Sequence, residues 1–80
     1  MTLFERLREA VAATLNVPEE TVTPESSSED FAAWDSLAQV NLMMTLEQTF
    51  DVVLEVEDFS RLTSIPAILD YLGNQSLPND

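Results

Sequence analysis

Eighty residues with 15 acids against three basic residues, a formal charge of −12, make one small domain that repels nucleic acid and anionic membranes and attracts proteins carrying Lys and Arg patches. Without cysteine there is no disulfide, thiolate metal site or thiol chemistry, and without histidine the commonest general base and metal ligand is missing. The usual catalytic and zinc constellations therefore cannot be built, the single glycine, Gly73, leaves no phosphate-cradling loop, and with no spaced calcium-binding loop a divalent ion would be held only loosely by surface acids.

The amino-terminal stretch MTLFERLREAVAATL mixes acids with arginines, contains no apolar run ending in a cleavage site, and no segment of the chain is long enough to cross a bilayer. The expectation is a cytoplasmic monomer that does not insert into membranes. Within this stretch Leu3, Leu7, Ala10, Val11 and Thr14 recur at helical spacing, with Phe4 and Leu15 beside them and Glu5, Arg8 and Glu9 opposite. Thr2 followed by Glu5 has the pattern of a capping box, and a first helix is predicted over about residues 3–15.

From Asn16 to Trp34 the periodicity is lost in NVPEETVTPESSSEDFAAW, which reads as a long connection. Val17, Val22 and Phe31 are the candidates to pin it to the core, and Trp34 to pack its end on the next helix. Ser26 to Ser28, beside Glu29 and Asp30, read as a solvated loop, with phosphorylation as the alternative.

A second helix is predicted from Ser36 to about Phe50, with Asp35 as N-cap, where a carboxylate satisfies an orphan amide and opposes the positive helix end. Leu42, Met43, Leu46 and Phe50 form one apolar face, and Leu37, Val40 and Met44 extend it round the helix with Glu47 among them. This arc is wider than one neighbouring helix needs. Either the helix is covered on both flanks, or Leu37, Val40 and Met44 stay exposed as a docking surface, and periodicity alone leaves both open.

DVVLEVEDFSRL has the β-branched content of a strand but no partner strand, so it is expected to be an extended connection entering a short helix at about 57–61. Thr63 or Ser64 then opens a last helix with Pro66 in its first turn, Ile65, Ile68, Leu69 and Leu72 on one side, and Gly73 as the stop. The predicted fold is all-α: a small antiparallel bundle of three main helices plus one short helix, with a long first loop. Residues 1–73 form the domain and 74–80 a flexible tail.

At the head of the second helix, Ser36 reads first as an ordinary helix-start residue. It has no base to make it a nucleophile, since there is no histidine, no lysine and no G-x-S-x-G elbow. A serine that is modified needs none of these.

Over residues 3–72 the chain resembles the acyl carrier protein family: an amphipathic first helix, a long loop, Asp35-Ser36-Leu37 opening a central apolar helix, LEQTFDV closing it, a short helix, and a last helix ending AILDYL. The resemblance implies a stand-alone carrier, not an enzyme. Ser36 would bear a covalent 4′-phosphopantetheine donated by coenzyme A, flanked by Asp35 and Leu37, and its thiol would hold acyl or aminoacyl groups as thioesters. The implied partners are a phosphopantetheinyl transferase, an acyl- or aminoacyl-loading ligase, and condensing or transferring enzymes, met through Val40, Met44 and Glu47.

Two departures from the family pattern stand out. Ala33 occupies the place of a frequent glycine, and Ala38, Asn41 and Gln48 stand where family members often have acids on this helix, leaving Asp35 and Glu47. The missing acids point away from a general fatty acid synthase and towards a specialised polyketide, nonribosomal peptide or lipid pathway. The reading from another class is an unmodified acidic helical adaptor that binds a basic protein through the second helix, with Ser36 only starting it.

Overall fold

Thr2 and Glu5 close the expected capping box. The Glu5 amide donates to Thr2 Oγ1 at 3.1 Å and the Thr2 amide to Glu5 Oε1 at 2.9 Å, satisfying two donors that the start of a helix would leave orphaned. The hydrogen bond from the Thr2 amide holds the Glu5 carboxyl below the usual carboxylate range. In this computed structural model, which describes residues 2–74, the capping box starts α1 (Leu3–Leu15). The other helices are α2 (Ser36–Phe50), α3 (Val56–Arg61) and α4 (Ile65–Gly73).

The described residues contain no strand, and the architecture is a small helical bundle. Helix α1 packs chiefly on α2, while α4 leans on α1 and α3 on α2. Leu7 and Val11 of α1, Leu42, Met43 and Leu46 of α2, and Ile65, Ile68 and Leu72 of α4 are shut off from solvent. No basic residue stands in the last turn of α2, and Arg6 of α1 supplies the missing cation. Its Nη2 donates to the Thr49 carbonyl at 3.2 Å, and its guanidinium lies 4.7 Å from the Phe50 ring centre. A positive charge there complements the negative end of α2 and joins the two long helices.

The left-handed stops are not at the glycine. Asn16 (φ 58°) ends α1 and Asp51 (φ 55°) ends α2, whereas Gly73 is the last helical residue of α4 without a positive φ. Asn and Asp tolerate this conformation because their short polar side chains bond locally.

The long loop differs from a solvated connection. It contains 3-10 turns at Glu19–Thr21 and Ser28–Asp30, and Val22 is buried, with Val17 and Phe31 packed partly against the core. Ser26 is buried, and its Oγ accepts the Thr23 amide at 2.9 Å. The Ser28 amide donates to the Thr63 carbonyl at 2.9 Å and the Ile65 amide to the Ser26 carbonyl at 2.8 Å, an isolated antiparallel bridge centred on Ser27 and Ser64. The serine run is thus a backbone tie to the α3–α4 link, which gives its amides partners away from water.

After α2 the chain is extended, with Leu54 buried and Val53 exposed, as expected for a connection. The Tyr71 hydroxyl donates to the Val53 carbonyl at 3.3 Å. Burial, then the charges of Asp58, Glu55 and Glu47, push that hydroxyl's pKa up. Helix α3 begins at Val56, one residue before the predicted start, because Asp58 accepts the Glu55 amide at 2.9 Å and caps the turn there. Ser64 caps α4 by accepting the Ala67 amide at 3.2 Å, with Pro66 in the first turn. The predicted tail lies, from residue 75 onward, outside the described residues. Among those described, no helix is long and apolar enough to cross a membrane.

Candidate functional site

Asp35 takes the extended backbone of an N-cap, and its Oδ1 accepts the Ala38 amide at 2.9 Å. Ser36 is therefore the first residue of α2, held by a cap next to it in sequence. Its side chain is exposed, and its hydroxyl makes no hydrogen bond to another described residue. The hydroxyl is open to an incoming enzyme at the end of the helix where the backbone dipoles favour negative charge.

The two readings of the wide apolar arc separate clearly. Leu42, Met43, Leu46 and Phe50 are buried, while Leu37, Val40 and Met44 are 71, 43 and 47% exposed. At about 100° per residue the exposed three form a stripe running down α2 from beside Ser36. Glu47 stands on the same face one turn further on, but it is half-buried, and its carboxylate accepts the Leu54 amide at 3.0 Å. Asn41 and Gln48 are exposed and border a groove of about 460 Å³ with Met44, Thr45, Ala13 and Thr14. The outer face of α2 is thus uncharged in a protein of net charge −12.

Sequence reasoning missed Gln39. It is buried one turn beyond Ser36, and its Oε1 accepts the Trp34 indole N–H at 2.6 Å. Its Nε2 donates to the Phe59 carbonyl at 2.8 Å and to the Leu62 carbonyl at 2.9 Å. One amide thereby joins the end of the long loop, α2, α3 and the link to α4. The available signal was a polar residue in the buried phase of α2, five residues from the sole indole. Trp34 is 5% exposed and meets Phe31 in a tilted ring pair at 6.4 Å.

A family model described as a phosphopantetheine attachment site matches residues 5–72, from the first turn of α1 to the penultimate residue of α4. The chain belongs to this family. It is a carrier domain of the acyl carrier protein kind, the type of domain to which 4′-phosphopantetheine is covalently attached. The residues present fit that group: an unbonded, solvent-facing serine hydroxyl for the phosphodiester, at a helix start whose flanking carboxylate is already spent on the Ala38 amide. Such a domain is met by the enzymes that load and process its arm.

Proposed function

We propose that Ser36 bears the phosphopantetheine, and that the domain shuttles acyl or aminoacyl groups between cytoplasmic enzymes of a specialised polyketide, nonribosomal peptide or lipid pathway. The observation that carries this reading is the exposed, unbonded hydroxyl of Ser36 at the capped start of α2, inside the matched span. When bound, the arm supplies a terminal thiol, which this cysteine-free chain lacks. Asp35 fixes the helix start so that the serine is presented in one place, and Leu37, Val40 and Met44 give partners an apolar surface beside it. Glu47 acts at the edge of that surface by holding the start of the extended segment through the Leu54 amide.

The domain lowers no barrier itself; tethering raises the local concentration of cargo at each partner enzyme. Acidic charge speeds encounters with basic partners while leaving each complex short-lived. The specialised pathway is supported by the uncharged outer face of α2, where Asn41 and Gln48 offer a basic enzyme no counter-charge.

The test is intact-protein mass after incubation with coenzyme A, magnesium and a broad-specificity phosphopantetheinyl transferase, with Ser36→Ala in parallel. The expected result is one phosphopantetheine added to the parent and none to the variant. The loaded protein is then offered to the enzymes of a general fatty acid synthase, where poor turnover is expected and efficient turnover would overturn the specialised pathway. A folded parent that gains no mass with several transferases would make the acidic adaptor the better account of α2.

A further inference from the structure

The start of α2 carries the residue to be modified, yet the side chains of Asp35, Ser36 and Leu37 are all exposed and bury nothing that would anchor it. The Asp35 carboxylate accepts the Ala38 amide at 2.9 Å and the Asp35 carbonyl accepts the Gln39 amide at 2.8 Å. These bonds fix Ser36 to its own helix only, and the ends of helices fray. In sequence the nearest buried side chains are Trp34 on one side of Ser36 and Gln39 on the other.

These two are bonded to each other, the indole N–H donating to Gln39 Oε1 at 2.6 Å. The same Gln39 amide donates to the Phe59 carbonyl at 2.8 Å, in the last turn of α3, and to the Leu62 carbonyl at 2.9 Å, just beyond it. On the other side the Trp34 backbone amide donates to the Phe31 carbonyl at 3.1 Å, and the two rings meet. Ser36 thus lies inside a ring closed between Trp34 and Gln39, and that ring is tied to the long loop and to the end of α3.

We infer that Trp34 and Gln39 are positioning residues for the loading reaction, an inference that rests on attachment at Ser36. In that reaction the Ser36 oxygen bonds to the pantetheine-bearing phosphorus of coenzyme A, the bond from that phosphorus to the bridging oxygen breaks, adenosine bisphosphate leaves, and the hydroxyl proton passes to a base of the transferase. The oxygen must stand about 3–3.5 Å from the phosphorus and in line with the leaving group, and an error of ~1 Å costs about 100-fold in rate. Trp34 and Gln39 are only 5 and 9% exposed, too buried for the transferase to grip, so they act on the rate through the place in which Ser36 is held.

The experiment is steady-state loading by a phosphopantetheinyl transferase with the carrier domain as the varied substrate, product verified by mass, and each protein shown to be folded by circular dichroism at the assay temperature. Trp34→Phe keeps a ring against Phe31 and deletes only the N–H, Gln39→Leu deletes the ties to α3 as well, and Leu7→Val thins the core near the far end of α2, where neighbouring Arg6 bonds the Thr49 carbonyl. Both Trp34→Phe and Gln39→Leu are expected to lower kcat about 10-fold with KM nearly unchanged. The double variant should be no slower than Gln39→Leu, because the two residues act through one bond, and Leu7→Val should load at the parental rate. Parental kcat in either folded single variant, a change confined to KM, additive losses in the double variant, or an equal loss in Leu7→Val would each overturn positioning while leaving attachment standing. A parent that gains no mass would remove the attachment reading and this one with it.

Discussion

Gln39 joins more of the chain than any apolar residue of α2, through one indole donor and two carbonyl acceptors on three separate segments. Replacing it with Leu preserves the bulk and removes every partner, leaving a buried N–H and two carbonyls to bear their desolvation. Gln39→Leu is therefore expected to cost about 2–3 kcal/mol, read as a lower urea midpoint with an unchanged slope. A loss of a few tenths would mean that water reaches all three groups. The residue was not legible in the sequence because its acceptors lie 20 and 23 positions further on, beyond any helical period. Asp35 and Ser36 were legible because cap and helix start adjoin, and the cap binds an amide only three residues away.

At the scale of elements, the limits of α1 and α2 could be read in advance because local residues set both ends: Thr2 with Glu5, and Asp35. Their left-handed stops carried no glycine to mark them. The tie between Ser26–Ser28 and Thr63–Ile65 was hidden for another reason: it is made by backbone groups, which leave no trace in side-chain pattern. The width of the α2 arc predicted a surplus apolar face, but only packing decides which side is covered. Asp51 places a carboxylate in the left-handed conformation at the negative end of α2, so both its backbone and its charge oppose the helix. Asp51→Gly is expected to stabilise the fold by about 1 kcal/mol, raising Tm by roughly 4–8 °C in a thermal melt. A lower Tm would show that Asp51 is held by an interaction stronger than its strain.

Across the whole molecule, 15 acids face three arginines, and two of those arginines are occupied within the fold. Arg6 serves the end of α2, and Arg8 lies 5.4 Å from the Phe4 ring centre and 3.9 Å from Glu19. The outward field is therefore almost purely negative, and the small core works against its own repulsion. Added salt is expected to raise Tm by screening that repulsion, and a flat or falling Tm would place the same repulsion in the unfolded chain. The extended run after α2 gives this charge another use. Val52, Val53 and Leu54 form an extended apolar segment with no strand beside it among the described residues, with Val53 and Val56 open to solvent, and the backbone groups that Glu47 and Tyr71 do not hold are a template for intermolecular strand addition. Asp51, Glu55 and Glu57 stand along it as gatekeepers against fibril growth. Near the isoelectric point of about 4.1 the net repulsion that keeps molecules apart lapses, which makes mild acid the condition for aggregation.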